Sequence, residues 1–254
     1  MRVNLISFTP DALNLLLRTK NTRLSSDDDP AYWDDNKKAD HLLYMQDTIK
    51  SSWEFIDYTF QISEVTRVFT HQLVRTRTGS YAQQAMRVVD ARAFEVQMPD
   101  SVAAVGVPGI WSQAVAHARE AYAQMVDSGM PVQDARGILP NNVETSILAK
   151  FNLRTLHDTA KLRMCTRAQG EYQNVFAAMR RLVIDVHPWA APFIEVHCVA
   201  TGTCAFPRYG KKECPVYLPE MDNTAVREAA RAIFWAPGRK GYEATPTARD
   251  GKAM

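Results

Sequence analysis

Arginine is concentrated in the segment RVFTHQLVRTRTGSYAQQAMRVVD, which contains Arg67, Arg75, Arg77 and Arg87. A solvated helix face normally balances such charge with Glu or Asp, but here only Asp90 does so, at the far end. Guanidinium groups bind phosphate through paired hydrogen bonds, and hydroxyl, amide and backbone N–H groups of the same segment could complete a pocket. The pattern predicts a site for a small anion. The same arginines could instead pair with carboxylates elsewhere in the fold.

The composition of the whole chain argues against some classes of protein. It has 254 residues, 46% of them hydrophobic, and a formal net charge of +2, which suits a protein with a sizeable core. A nucleic-acid coat needs a broad basic face, which this charge does not provide. No apolar run approaches the roughly 20 residues that span a bilayer, and the N-terminus lacks a signal cleavage site. We therefore expect a cytoplasmic protein without a nucleic-acid or membrane partner.

The number of cysteines also fits the reducing cytoplasm. The chain has four cysteines, Cys165, Cys198, Cys204 and Cys214. They are too few for a disulfide framework in a chain of this length. The segment CVATGTCAFPRYGKKEC contains no C-x-x-C pair, so we expect ordinary buried or loop cysteines there and no metal, with a zinc site as the alternative.

The elements that must position these residues follow from hydrophobic periodicity. Strands are predicted at residues 2–9, 55–63 and 94–102, the last ending in a turn at Pro99, and helices at 10–23, 39–50, 64–78, 111–128, 131–140, 168–187 and 220–235. Residues 141–165 carry two further apolar periods in a mainly helical second half. The fold class predicted is α+β: a single domain over residues 1–234 with a small sheet, followed by a flexible tail at 235–254. The arginines then lie at the end of one helix and in the loop that follows.

The segment HQLVRTRTGSYAQQAMR resembles the signature of the flavin-dependent thymidylate synthases, the ThyX family, which reads R-H-R, seven residues, then S, with an Arg two further on. Three other stretches match family motifs in the same order. SSWEF resembles Thr/Ser-Pro-Phe-Glu-His, ARGILP resembles A-R-x-x-L-P, and NLRTLHDTAKLRMCTRAQGEYQ resembles N-x-R-x-L, L-R and A-Q-x-E. The resemblance covers about residues 35–190.

The resemblance implies an enzyme with FAD as cofactor and with methylenetetrahydrofolate and NADPH as co-substrates, which methylates C5 of a pyrimidine nucleotide, dUMP to dTMP, without a cysteine nucleophile. Position by position, the flavin-contacting residues are Ser51, Glu54, Arg75, Thr76, Arg77, Asn152, Arg154 and Asp158. The nucleotide-contacting residues are Gln72, Arg75, Gln83, Arg87, Arg136 and Arg163.

Among these, the resemblance implies that Arg87 and Arg136 hold the phosphate and that Arg163 activates the base. A fixed cation beside the pyrimidine N3/O2 edge would stabilise negative charge and make C5 more nucleophilic. An ion pair of Arg163 with Glu171 or Asp158 is the structural alternative. The family also implies a homotetramer whose active sites combine several subunits.

Two positions depart from the signature. Thr76 stands where the family has His, and Ala85 stands where it has Ser. Lost hydrogen bonds can redirect substrate choice, so UMP or dCMP, or a hydroxymethylated product, are alternatives. A catalytically silent flavin- or nucleotide-binding protein is an alternative of another class.

Overall fold

A computed structural model describes residues 1–207 together with Cys214, Thr224, Val226 and Glu228. The α+β class is confirmed by a four-stranded antiparallel sheet in the order β1-β2-β4-β3 and by the helices around it. The strands are β1 (Arg2–Phe8), β2 (Asp57–Thr66), β3 (Ser80–Gln83) and β4 (Glu144–Asn152). The described helices are α1 (Ala12–Arg23), α2 (Asp35–Gln46), α3 (Arg67–Leu73), α4 (Asp100–Ala104), α5 (Pro108–Asp127), α6 (Val132–Ala135), α7 (Leu153–Arg163), α8 (Gly170–Val186) and α9 (His197–Thr201). Short 3-10 turns include Lys50–Phe55, Arg136–Ile138 and Pro188–Phe193.

The chain divides into two compact units. The first unit contains residues 1–2, 62–75 and 81–148, and the second contains 3–61, 76–80 and the chain from 149 onward. None of the helices in the described part of the chain is long and apolar enough to cross a membrane. The predicted tail at 235–254 lies outside the described residues, as does most of the predicted helix at 220–235. The single domain over residues 1–234 stays a prediction.

The first unit has its own apolar core, which fixes two segments of interest. Met86, Ala91, Tyr122, Ala135 and Val143 are buried together. The Tyr122 hydroxyl accepts a hydrogen bond from the Ala91 backbone N–H at 3.0 Å, which ties α5 to the loop after β3. Met86 and Ala135 precede Arg87 and Arg136 in the sequence, so one core anchors the backbone of both arginines.

In the second unit, α7 presents opposite faces to the core and to solvent. Leu153, Leu156 and Ala160 are buried at helical spacing, while Arg154 and Asp158 are exposed four residues apart. The helix begins at Asn152, whose side chain accepts a hydrogen bond from the Thr155 N–H at 2.8 Å. Residues i and i+4 share a helix face, so Arg154 and Asp158 project from the same side.

Some predicted elements are wrong. Residues 144–152 form strand β4, whereas we expected further helix, and Ser80–Gln83 is a strand that the sequence prediction left as loop. The predicted strand at 94–102 is reduced to a single bridge between Val96 and Val143, followed by α4. The predicted helix at 39–50 begins at Asp35, because Asp34 caps its N-terminus by accepting from the Lys37 N–H. Pro10 precedes α1 and is not in its first turn.

Candidate functional site

The two residues expected to hold phosphate both contact Gln133 in the first unit. The Arg87 Nη2 lies 3.4 Å from the Gln133 Oε1, and the Arg136 Nε donates to the Gln133 backbone carbonyl at 3.0 Å. Gln133 lies in α6, one turn before Arg136. A neutral amide residue thus connects two guanidinium groups that carry the same charge.

Arg67 adds a third positive charge that the sequence-based site did not include. Its side chain is half-buried, and the pKa of its guanidinium is lowered first by burial and then by the charge of Arg136. Its backbone N–H donates to the Val143 carbonyl at 3.0 Å, which holds the start of α3 beside β4. In the described part of the chain no ion pair includes Arg67, Arg87 or Arg136, and their positive charge suits an anionic ligand. The signal was present in the arginine-rich segment, but no motif matched Arg67.

Two glutamines expected at the nucleotide also lie in the first unit. The Gln83 Nε2 donates to the Thr70 Oγ1 at 2.7 Å, and the Thr70 hydroxyl donates in turn to the Arg67 carbonyl at 3.3 Å. Gln83 is therefore fixed against α3. Gln72 is half-buried on the last turn of α3.

The proposed activating residue, Arg163, lies in the second unit at the end of α7. Its guanidinium carbon is 5.0 Å from the centroid of the Tyr172 ring, a cation–π contact. Asp158, one candidate for an ion pair with Arg163, instead lies 3.8 Å from Lys50 and 3.9 Å from Arg154. Tyr172 is fully buried at the start of α8, so its ring provides a rigid platform.

Thr76 interacts with Tyr172. Burial raises the pKa of the Tyr172 phenol, and hydrogen bonds with Thr76 and Arg163 oppose that shift. Arg75, Thr76 and Arg77 lie in the turn that follows α3. Both arginines are exposed. The Gly79 N–H donates to the Thr76 carbonyl at 3.0 Å, which closes the turn. The residue that replaces the family His is thus connected to the residue that holds Arg163.

The remaining flavin positions gather around the start of α7 and the 3-10 turn Lys50–Phe55. The Arg154 Nη1 lies 2.5 Å from the Glu54 Oε1, and Asp158 lies on the other side of Arg154. Glu54, Arg154 and Asp158 each keep about half of their side-chain surface exposed, so they can still bind a ligand. Ser51 is exposed on the same 3-10 turn, and Asn152 uses its side-chain oxygen to cap α7.

A buried indole fixes that turn against α7. The Trp53 ring lies 4.8 Å from the His157 ring and 4.9 Å from the Phe193 ring, both edge to face. Trp53 is 1% exposed. Its packing places Glu54, the next residue, opposite Arg154.

The predicted flavin positions and the predicted nucleotide positions therefore lie mostly in different units. All flavin positions except Arg75 lie in the second unit, and all nucleotide positions except Arg163 lie in the first. In the described part of the chain, no group of three or more His, Cys, Asp or Glu side chains is arranged to hold a metal ion.

Comparisons with known proteins identify the family of this chain. The family model described as "Thymidylate synthase complementing protein" matches residues 4–189. A flavin-dependent thymidylate synthase of Geobacter sulfurreducens is 34% identical over 219 residues, which cover 80% of this chain and 90% of the relative. One from Sulfolobus acidocaldarius is 29% identical over 235 residues, covering 88% of this chain and 86% of the relative. The chain belongs to the ThyX family of flavin-dependent thymidylate synthases.

Proposed function

We propose that the protein is a flavin-dependent thymidylate synthase that converts dUMP to dTMP with methylenetetrahydrofolate and NADPH. The observation that carries this proposal is the contact of both Arg87 and Arg136 with Gln133, together with the effect of the Arg136 charge on Arg67. Three guanidinium groups without a neutralising carboxylate in these contacts suit the phosphate of a nucleoside monophosphate.

The second unit supplies residues that fit a flavin. Glu54 and Asp158 are acceptors, Arg154 is a donor between them, and all three are partly exposed. Such a set matches the alternating donors and acceptors at the polar edge of an isoalloxazine ring. FAD would supply the redox chemistry that reduces the transferred methylene group to methyl.

Arg163 would act on the nucleotide base. A guanidinium fixed at the N3/O2 edge stabilises the negative charge that develops on the ring as C5 attacks the methylene carbon. The Tyr172 ring holds this guanidinium in place without neutralising it, whereas a carboxylate partner would cancel part of its charge. Arg87 and Arg136 would position the nucleotide through its phosphate, and none of these steps needs a cysteine nucleophile.

Family membership supports a homotetramer whose active sites are shared between subunits. Light scattering on the purified protein at micromolar concentration tests this part of the proposal. A monomer would contradict it.

The whole proposal is tested by product analysis. Purified protein is incubated with FAD, NADPH, methylenetetrahydrofolate and, separately, dUMP, UMP or dCMP, and the nucleotide product is identified by mass spectrometry. We expect dTMP from dUMP. Turnover of UMP or dCMP alone, or a hydroxymethylated product, would replace the substrate or product assigned here.

Thr76 and Ala85 favour one alternative, a silent flavin-binding relative, because both depart from the family signature. That alternative predicts yellow protein whose flavin is bleached by a reductant while no nucleotide is converted.

A further inference from the structure

A separate cavity of about 340 Å³ lies within the second unit. Its walls come from α2 and the loop after it, the 3-10 turn Lys50–Phe55, α7, the segment before α9 and α9 itself. No residue assigned above to flavin or nucleotide lines it. The lining residues that matter here are Lys50, Trp53, His157, Lys161 and Phe193.

His157 is held neutral in this cavity. Its Nδ1 lies 2.6 Å from the Phe193 carbonyl oxygen, which can only accept, so Nδ1 carries the proton. Its Nε2 then accepts from the Lys50 Nζ at 3.0 Å. Burial lowers the pKa of His157 to about 4, so the ring stays uncharged at neutral pH. The histidine orients Lys50 but does not neutralise it.

Lys50 and Lys161 place two ammonium groups side by side. Burial lowers the pKa of Lys161, and the positive charge of Lys50 lowers this pKa further. The Asp158 carboxylate lies 3.8 Å from the Lys50 Nζ, beyond hydrogen-bond distance, and is shared with Arg154. An anion between the two ammonium groups would relieve their repulsion.

Trp53 provides an independent indication of a ligand. Its side chain lines the cavity and is 1% exposed, yet its indole N–H has no hydrogen-bond partner among the described residues. A buried donor without an acceptor is costly, and an oxygen atom in the cavity would satisfy it. The family segment that SSWEF resembles has Phe at this position, so the donor is a feature of this chain.

The other walls limit the charge and shape of the ligand. Pro192, Phe193, Val199 and Ala200 are apolar. Asp47 and Glu195 also line the cavity, and Glu195 is 2.7 Å from Arg180. His197 lies near Lys161, and its pKa is lowered by burial and by the charge of that lysine. Because Arg180 offsets the charge of Glu195, Asp47 is the wall carboxylate that opposes an anion, and it would repel a dianion more strongly than a monoanion.

We propose that this cavity binds a monocarboxylate with an apolar body, whose carboxylate bridges Lys50 and Lys161 and accepts from the Trp53 indole. The proposal is independent of the thymidylate synthase activity, because it concerns binding alone.

Isothermal titration of the purified full-length protein with benzoate, benzamide and phenyl phosphate tests the ligand class. The three probes share a ring and differ in charge. We expect benzoate to bind most tightly of the three. Benzoate binding no tighter than benzamide, or weaker than phenyl phosphate, would overturn the proposal.

Variants test the residues. Lys161→Met and Trp53→Phe should each weaken benzoate binding about 10-fold, the loss expected for one charge-assisted hydrogen bond. The matched control is Lys150→Met, since Lys150 is exposed and pairs with Asp57 at 2.8 Å outside the cavity. Thermal unfolding verifies that each variant is folded, and Lys50→Met replaces Lys161→Met if the latter is not. Benzoate affinity unchanged in the folded cavity variants would refute the site.

Discussion

The guanidinium of Arg163 lies over the buried ring of Tyr172, 5.0 Å from its centroid. Tyr172→Leu removes the ring, and Tyr172→Phe keeps it. Because a partly desolvated cation–π contact contributes roughly 1–2 kcal/mol, we expect kcat with dUMP to fall about 10-fold in the Leu variant and much less in the Phe variant. Steady-state kinetics on folded protein measures this. Equal losses in both variants would mean that the ring does not orient Arg163.

Arg87 and Arg136 should control nucleotide affinity without controlling flavin affinity. Arg87→Ala or Arg136→Ala removes one charge-assisted contact to phosphate, so the Kd for dUMP should rise about 10- to 100-fold while FAD binding is unchanged. Equilibrium titration measures both affinities. Arg181→Ala is the control, since Arg181 is exposed and pairs with Asp185 on α8. An unchanged dUMP affinity in both site variants would remove the phosphate assignment.

Arg154 should matter for flavin more than for stability. Its ion pairs with Glu54 and Asp158 are partly exposed, so Arg154→Ala should lower the free energy of unfolding by less than about 1 kcal/mol. A direct contact to FAD predicts a Kd for FAD about 10-fold higher, measured by flavin fluorescence. Arg18→Ala, which breaks the similar pair with Asp29, is the matched control. The opposite pattern, lost stability with intact FAD affinity, would identify a structural ion pair.

Thr76 distinguishes this chain from the family signature, and its substitution tests what the departure does. Thr76→His returns an imidazole donor beside the flavin, which should stabilise the electron-rich reduced form and raise the reduction potential of bound FAD. Thr76→Val is the control, because it removes the hydrogen bond with Tyr172 without adding an imidazole. A redox titration of each protein gives the potentials. No difference between His and Val would place residue 76 away from the flavin.

His157 should make stability depend on pH. Its pKa in the folded protein is about 4, below its ordinary value of 6.5, because burial penalises the charged ring. The unfolded chain therefore binds more protons between these values, so the contribution is complete above pH 6.5 and is lost as pH falls through about 4. After allowance for partial exposure it amounts to about 2 kcal/mol.

His157→Asn keeps a donor for the Phe193 carbonyl and removes the titration. The variant should therefore lose less stability than the parent between pH 7 and pH 4.5, as measured by urea unfolding. Parallel pH dependence in the two proteins would show that His157 does not titrate in this way.

The sequence alone predicted the fold best in segments where the apolar periodicity extends over several helical turns. The helix around Trp111–Asp127 and the helix that ends before Pro188 are confirmed, because each carries several turns of one apolar face and a clear stop. Strand β4 was missed although Thr145, Ile147, Ala149 and Phe151 alternate as buried residues. Strand β4 runs directly into α7, and the helical periodicity of α7 led to a helix being predicted for both segments. Four-residue β3 is too short to show a period.

For the site, motif matching named the arginines but not the neutral residues that hold them. Gln133 and Tyr172 lie within or beside matched motifs, yet only the folded chain shows that one connects Arg87 with Arg136 and that the other supports Arg163. Arg67 was visible as charge, but its proximity to Arg136 depends on the pairing of the β2 end with β4. Contacts between residues far apart in sequence are set by tertiary packing, which a single sequence does not reveal.

The most direct test of the central claim is a crystal structure of the protein with FAD and dUMP bound. We predict guanidinium nitrogens of Arg87 and Arg136 at about 3 Å from the nucleotide phosphate oxygens and the Arg163 guanidinium at the edge of the pyrimidine. Arginines that instead face solvent, or that pair with carboxylates while the nucleotide lies elsewhere, would contradict the account.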